Sequence, residues 1–237
     1  MANRKILPSL TTITPGEWRN KIKEIDELGL KEISLFPTCL NIEERRELYG
    51  LLENTGIVSI PHVHLRGQDT ESWELDYLVE KFKTQVFNIH PTEVINFVKG
   101  NEKYKDRIYV ENLLMDDNFK EVINYCAGAC IDFSHWEDYG FMKKFPNYDE
   151  FPELLKKYKI GVNHISAVKK EIVHYHDNFY NQDFYNYSDH NLTDLAELDY
   201  VKKYKDYFAD IISIELENPL KRQLEAKEYL EKILDVS

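Results

Sequence analysis

The feature that most constrains this chain is a regular alternation of short apolar runs with longer amphipathic stretches, repeated eight times. The runs are rich in Ile, Val and Tyr, are bounded by Gly, Pro, Asp or Asn, and are mostly too short to be helices, so each is predicted to be a β-strand. The eight predicted strands are Lys5–Leu10, Glu32–Pro37, Ile57–Leu65, Val86–His90, Arg107–Asn112, Ala129–Phe133, Ile160–Ile165 and Ile211–Leu216. Strands that alternate strictly with helices form a parallel sheet.

Helix start and stop signals lie between the predicted strands. Pro15-Gly16-Glu17 opens one helix and Leu28-Gly29 closes it, with proline in the first turn and glycine at the end. Asn41 is predicted to cap a second helix, which ends at Thr55-Gly56. The stretch Leu220–Val236 repeats apolar residues at helical spacing and predicts the last helix.

Eight strand–helix units in 237 residues predict an α/β chain folded as a single closed (β/α)8 TIM barrel, with one domain over residues 1–237. The alternative, an open doubly wound sheet, usually carries a glycine-rich phosphate loop after its first strand. Such a loop is absent here, and the chain has only nine glycines. The one irregularity is a 45-residue interval before the last strand, predicted to be an extended loop through His174-Tyr175-His176 and Phe179–Asp189, with a helix near Leu195–Phe208.

The charge and cysteine content narrow the classes of partner. With 42 acidic against 30 basic side chains the formal net charge is -12, which argues against nucleic acid, because proteins that bind phosphates normally present a basic face. An odd count of three cysteines without a disulfide-type spacing predicts a reducing compartment. Since no window approaches the length of an apolar membrane span and residues 1–10 have no long apolar core, we expect a cytoplasmic protein without a membrane partner.

Titratable side chains stand at or just after the ends of the predicted strands. They are all His, Asp or Glu: His62, His64, His90, Glu111, Asp132, His135, His164, Glu215 and Glu217. In a barrel the active site lies at the carboxyl ends of the strands, so these side chains are predicted to converge on one rim. Taken singly, each is more often a hydrogen-bonded structural group, and Glu217 just before Asn218-Pro219 could simply meet solvent.

The convergence favours a metal site. Carboxylates buried together repel one another, and imidazoles beside them are costly to bury, unless a cation compensates. A mixed carboxylate and imidazole set suits Zn²⁺ or Mn²⁺ best; Fe and Co also fit, and Mg²⁺ fits less well. A rim that holds metal only for structure, in a non-catalytic barrel, remains the plain alternative.

Four strand-end segments carry a resemblance to a known group of proteins. They are Ile108-Tyr-Val-Glu111-Asn, Cys130-Ile-Asp132-Phe-Ser-His135, Val162-Asn-His164-Ile-Ser and Ser213-Ile-Glu215-Leu. Together they resemble the xylose isomerase-like superfamily of TIM barrels, which includes sugar isomerases and epimerases and the abasic-site endonuclease (endonuclease IV) family. The resemblance implies one divalent metal held by Glu111, Asp132, His164 and Glu215. It also implies contact of His135 with substrate in the epimerase branch, or with metal in the endonuclease branch.

The endonuclease branch uses three zinc ions and more histidines. His62 or His64, together with His90-Pro91, resembles two of its extra ligands. The branch also has an Asp-x-His pair in the seventh loop, whereas here Asp189 and His190 are adjacent. His190 is then the residue that aligns, and Ser188 stands in the place of the aspartate.

These residues lead to two functional expectations. The first is a metal-dependent sugar or polyol isomerase or epimerase, or a dehydratase using the same proton abstraction, and the resemblance implies that Glu111 and Glu215 act as base and acid. In that case Arg66 is expected to hold a substrate carboxylate or phosphate, and Trp136 to stack on a sugar face. The second is a zinc-dependent phosphodiesterase of the endonuclease IV type.

Overall fold

The computed structural model describes residues 4–113, 117–142, 150–177 and 182–235. Nine parallel strands form one sheet: β1 Lys5–Leu7, β2 Ser9–Thr11, β3 Ser34–Phe36, β4 His62–His64, β5 Val86–Ile89, β6 Ile108–Glu111, β7 Gly128–Asp132, β8 Ile160–Ile165 and β11 Ile211–Ile214. Their order in the sheet is β1-β11-β8-β7-β6-β5-β4-β3-β2. The predicted TIM barrel is confirmed.

One predicted strand, Lys5–Leu10, is divided into two, and this division closes the barrel. Pro8 separates β1 from β2 and has no N–H to give to a ladder. β1 pairs in parallel with β11 on one side, and β2 pairs in parallel with β3 on the other. The first segment of the chain therefore joins the two edges of the sheet.

Eight α-helices surround the strands in the described part of the chain. They are α1 Trp18–Glu27, α2 Ile42–Leu52, α3 Ser72–Phe82, α4 Val94–Gly100, α5 Asp117–Val122, α6 Phe133–Met142, α7 Phe151–Leu155 and α8 Leu220–Leu234. The predicted cap of α2 is present, since the Asn41 side chain accepts from the N–H groups of Glu43 and Glu44. The predicted last helix ends at Leu234, and Val236 lies outside the described residues.

The prediction of an extended loop after β8 is wrong. The chain leaves the barrel as a two-stranded antiparallel hairpin, β9 Ala167–Asp177 and β10 Gln182–Asp189. Pairing the two strands satisfies backbone groups that a long loop would leave to solvent, and the many tyrosine and β-branched residues favour strands. Residues 178–181 of the predicted loop lie outside the described residues. The helix expected near Leu195–Phe208 is present over Leu195–Tyr207 with 3-10 geometry, and it is kinked at Tyr204.

Two separate apolar clusters support the barrel. The larger lies between the strands and the helices. The smaller takes one residue from each of six barrel strands: Leu7, Val86, Tyr109, Cys130, Val162 and Ile211. Because it excludes the helices, it forms the apolar floor inside the barrel, beneath the polar side chains at the carboxyl ends.

Two further expectations from the sequence concern membrane spans and disulfides. Within the described ranges, no helix is both long and apolar enough to cross a bilayer. The three cysteines all lie in those ranges, and none of them forms a disulfide.

Candidate metal centre

Glu111, the last residue of β6, stands at the centre of the rim. Its carboxylate is 2% exposed, and its Oε2 atom lies 2.9 Å from His64 Nε2 and 2.7 Å from the Asn88 Nδ2 donor. The other oxygen, Oε1, lies 3.4 Å from His135 Nε2. One carboxylate therefore faces side chains from β4, β5 and α6.

Asp132 ends β7 and immediately precedes α6, and its two oxygens have different surroundings. Oδ1 accepts from the Ser134 N–H at 2.7 Å, the Ser134 hydroxyl at 2.6 Å and the His135 N–H at 3.0 Å, as a helix cap does. Oδ2 is buried and has no hydrogen-bond partner among the described residues. It lies 3.7 Å from His135 Nε2 and 4.0 Å from His164 Nδ1, on the side of Glu111.

His164 projects from β8 between the floor and the rim. Its Nε2 atom lies 3.3 Å from Cys130 Sγ. Its Nδ1 atom lies 3.1 Å from Glu215 Oε2 and 3.7 Å from Glu111 Oε2, yet meets hydrogen-bond geometry with no described side chain. Nitrogen and oxygen atoms face one another here without bonding, as ligand atoms do around an ion.

The side chains at the rim shift one another's pKa values strongly. Burial opposes charge on the His135 imidazole, but the nearby carboxylates of Asp132 and Glu111 outweigh burial and raise the pKa of His135 to about 10. Burial again opposes charge on His164, but the carboxylates of Glu111 and Glu215 raise its pKa well above the ordinary value. Burial raises the pKa of the Cys130 thiol to about 12, so that thiol is neutral and does not supply the charge that raises the pKa of His164.

The two glutamates of the rim titrate in the opposite direction. Burial alone would raise the pKa of Glu111, but the nearby His164 and His64 hold it well below its usual range. Burial also opposes the shift of Glu215, whose close contact and charge interaction with His164 lower its pKa to about 2. In the absence of a cation, protonated imidazoles thus balance the carboxylates.

Four overlapping groups of side chains place ligand-type atoms within 4.8 Å of one another. They are Asp132, His164 and Glu215; Glu111, Asp132 and His135; His64, His90 and Glu111; and Glu111, Cys130 and His164. Glu111 belongs to three of the four. The buried, unbonded Asp132 Oδ2 and His164 Nδ1 atoms fit a divalent cation, which would satisfy both.

Two other predicted candidate ligands, one at a strand end and one in the seventh loop, lie outside the ligand groups. His62 lies below the rim, where Nδ1 is 2.8 Å from Ser213 Oγ and Nε2 is 2.6 Å from Asn88 Oδ1. The ring of His190 approaches the Ser166 hydroxyl and the Glu215 carbonyl oxygen, at 3.4 and 3.1 Å. Neither residue belongs to a ligand group among the described side chains.

Glu217 is directed away from the centre, although it follows Glu215 by two positions. It forms a buried ion pair with Lys21 of α1, 3.5 Å from Oε1, and accepts from the Thr14 N–H at 2.8 Å. Glu217 therefore neither meets solvent nor belongs to a ligand group of the described side chains. The sequence could not show this, because Lys21 is nearly two hundred residues away.

The two predicted substrate-binding residues have structural partners. Arg66 donates to the Leu40 carbonyl at 3.0 Å and lies 3.3 Å from Asp69. Trp136 is 4% exposed, and its ring packs against Phe151 and Tyr204 at 4.8 Å between centroids. The expectation that Trp136 stacks on a substrate is therefore corrected, since the ring belongs to the core beneath α6.

The sequence reading missed Asn88. It lies inside β5, fully buried, and connects His62 to Glu111. Period-two alternation along Val86–His90 puts it on the same face as His90, so the pattern held a signal for it.

Comparisons with known proteins add little to this geometry. No protein-family model matches the chain, and no curated protein matches it significantly. Among solved structures it is similar to a xylose isomerase-like TIM barrel protein from Mycobacterium smegmatis in complex with magnesium, at 14% identity and a TM-score of 0.45, over 98% of this chain and 97% of that one. It is also similar to an HpcH/HpaI aldolase from Desulfitobacterium hafniense, at 10% identity and a TM-score of 0.46, over 100% of this chain and 95% of that one.

Proposed function

We propose that this protein is a divalent-metal-dependent isomerase or epimerase that acts on a small sugar or polyol. The observation that carries the proposal is the convergence of Asp132 Oδ2, His164 Nδ1 and Glu215 Oε2 beside Glu111 at the carboxyl ends of β6, β7, β8 and β11. These four residues would hold the ion, with Zn²⁺ or Mn²⁺ the best match to the donor set.

The bound cation would polarise a substrate carbonyl and stabilise the negative charge that develops on its oxygen. The chain's own part is to remove a proton from the carbon next to that carbonyl and return it elsewhere. Glu111 and Glu215 come from β6 and from the end of β11, on either side of β7 and β8, so they flank the centre. Glu215 is 12% exposed against 2% for Glu111, which makes it the carboxylate with access to a substrate.

Proton exchange with solvent tests this chemistry without knowledge of the product. The protein is incubated with Mn²⁺ or Zn²⁺, a panel of ketoses, aldoses and polyol-derived ketones, and D₂O. We expect deuterium at the carbon next to the carbonyl of one substrate class, and loss of that exchange in Glu215→Gln and Glu111→Gln. Glu217→Gln is the matched control, since this carboxylate pairs with Lys21 and lies outside the ligand groups.

A second function is favoured by one specific group. His64, His90 and Glu111 form a second ligand set, in which the His90 Nε2 atom lies 4.0 Å from Glu111 Oε2. Two ions sharing Glu111 would suit a phosphodiesterase of the endonuclease IV type. The net charge of -12 argues against a grip on duplex DNA.

Metal stoichiometry separates the candidates. One ion per chain together with solvent exchange supports the isomerase. Two or three zinc ions with cleavage of an abasic oligonucleotide would instead establish the phosphodiesterase. Retained metal without exchange on any carbohydrate and without nuclease activity would favour a barrel that holds metal only for structure.

A further inference from the structure

Beneath the rim, four buried polar side chains form a continuous hydrogen-bonded chain that ends on Glu111. Ser34 Oγ lies 2.6 Å from Ser213 Oγ, and Ser213 Oγ lies 2.8 Å from His62 Nδ1. His62 Nε2 lies 2.6 Å from Asn88 Oδ1, and Asn88 Nδ2 donates to Glu111 Oε2 at 2.7 Å. All four are 0% exposed and come from β3, β11, β4 and β5.

Only one direction of donation satisfies the whole chain. An ionised Glu111 can only accept, so the Asn88 amide must present its NH₂ group upward and its carbonyl oxygen to His62. His62 Nε2 must then carry the ring proton and donate. In the neutral ring Nδ1 then accepts from the Ser213 hydroxyl, which in turn accepts from Ser34.

A barrel interior does not need such a layer for stability. The layers of TIM barrels are mostly filled with branched apolar residues, as the floor of this barrel is. Replacing both partners of a buried hydrogen bond by apolar groups of the same shape is often nearly neutral. The polar layer touches the rim through Asn88, whose donor reaches the carboxylate that belongs to three of the four ligand groups.

We propose that His62 and Asn88 are positioning residues of the metal centre: His62 locks the orientation of the Asn88 amide, and Asn88 fixes the Glu111 carboxylate so that Oε1 faces His135. The proposal rests on the proposed role of Glu111 as a ligand. It gives His62 a function other than metal ligation. If the amide of Asn88 turned over, its oxygen would face Glu111 Oε2 at the same 2.7 Å and repel it.

Metal affinity, measured by calorimetric titration of the metal-free protein with Zn²⁺ or Mn²⁺, tests the proposal. Loss of a partner that orients a metal ligand typically costs about 10–100-fold in affinity, and we expect this loss for Asn88→Leu and for His62→Leu. His62→Gln keeps an N–H donor for Asn88 and is expected to recover most of the loss. The double variant should bind no more weakly than Asn88→Leu alone, because His62 acts through Asn88.

Asn101→Leu is the matched control. Asn101 is a buried amide just after α4 that accepts from the Ser72 hydroxyl and donates to the Phe97 carbonyl, and it belongs to none of the ligand groups. It should lower the melting temperature without changing the dissociation constant. If Asn88→Leu does not fold, Asn88→Ala removes the same donor without adding bulk.

Three results would overturn the inference. Wild-type affinity in folded Asn88 and His62 variants would show that the layer is only structural. Additive losses, or a failure of His62→Gln to restore binding, would show that His62 acts on the metal directly. In both cases the proposed function survives, whereas a wild-type protein that binds no divalent metal would remove the proposed function and this inference together.

Discussion

The Oδ2 atom of Asp132 and the Nδ1 atom of His164 lie 4.0 Å apart, both buried, and neither is hydrogen-bonded to any described residue. A buried polar atom left unsatisfied costs roughly 1–3 kcal/mol, so a fold that orphans two such atoms side by side is poorly explained by stability alone. Ligand atoms at about 2.0–2.2 Å from one Zn²⁺ ion stand about 3–4 Å from each other, close to the separation observed. The pair is thus arranged as two ligands of one cation.

Asp132→Asn tests that arrangement with little disturbance to the fold. The asparagine oxygen can keep the three hydrogen bonds that Oδ1 accepts at the start of α6, while the amide nitrogen replaces the orphaned oxygen. Free metal at 100 times the dissociation constant stabilises a protein by about 2.7 kcal/mol, and we expect thermal unfolding of the wild type to show this gain. The variant should show little of it at the same metal concentration. His176→Ala, on the exposed hairpin, controls for surface binding, and an equal gain in Asp132→Asn would refute the assignment.

Metal binding should release protons. With the pKa of His135 raised to about 10 and that of His164 raised well above its ordinary value, both imidazoles are protonated at neutral pH in the metal-free protein. A ligand nitrogen must lose its proton, and of the two imidazoles only His164 is among the four proposed ligands. Since Glu111 and Glu215 are already ionised, about one proton should leave per ion near pH 7. Calorimetry in buffers of different ionisation enthalpy counts them, and affinity should rise with pH. A buffer-independent binding enthalpy would contradict this protonation state.

The same imidazoles make the stability of the metal-free protein depend on pH. A raised pKa in the folded state contributes stability that is fully present below the unfolded value, about 6.5, and that is lost as pH rises through the folded value. For His135 the window extends from about 6.5 to about 10. Denaturant titrations of the metal-free protein should therefore show a decline over this window, and the metal-loaded protein should not follow it. A parallel decline in both forms would point to groups elsewhere.

Local pattern was enough to predict the barrel. The alternation of short apolar runs with amphipathic helices predicted the eight strand regions of the barrel, the parallel sheet and the cap of α2 by Asn41, because each signal depends on neighbours in sequence. The hairpin β9–β10 was missed because its strands mix amide, aromatic and charged residues, and their pairing depends on each other rather than on an apolar face. The division of the first strand at Pro8 follows from barrel closure, which no local window contains.

The position of a residue at a strand end predicted the neighbourhood of the site better than the role of each side chain. Glu111, Asp132, His164 and Glu215 are brought together, since parallel strands deliver their last residues to one edge. Glu217 was misplaced, because Lys21 reaches it from α1. The role of such a side chain depends on its rotamer and on partners distant in sequence, and the spacing of residues along the chain predicts neither.

The buried ion pair of Arg45 with Glu74 is expected to contribute far more to the unfolding free energy than an exposed ion pair does. Arg45 is 0% exposed and bonds to Glu74 twice, at 2.8 and 2.9 Å, and to the Leu40 carbonyl, the Asp69 carboxylate and the Asp69 carbonyl. Arg45→Met leaves Glu74 buried without its partner and should cost about 3–5 kcal/mol of unfolding free energy, measured by urea denaturation. Arg19→Met breaks the exposed ion pair with Glu47 and should change the unfolding free energy little. Comparable losses in the two variants would argue against a special cost of burial.

Substituting alanine at two glycines is expected to change the free energy of unfolding in opposite directions. Gly128 begins β7 with a φ of +152°, and a Cβ there would lie 2.0 Å from the Lys159 carbonyl oxygen, a backbone atom that cannot turn aside. Gly128→Ala should therefore destabilise the protein by about 1–3 kcal/mol through strain and displacement of β8. Gly50 lies inside α2 with nothing within 4 Å of an added Cβ, so Gly50→Ala should stabilise by about 0.5–1 kcal/mol through helix propensity. Urea denaturation with equal m-values measures both changes, and a neutral Gly128→Ala would show that the strand β7 adapts where its register with β8 already shifts, between Ala129 and Cys130.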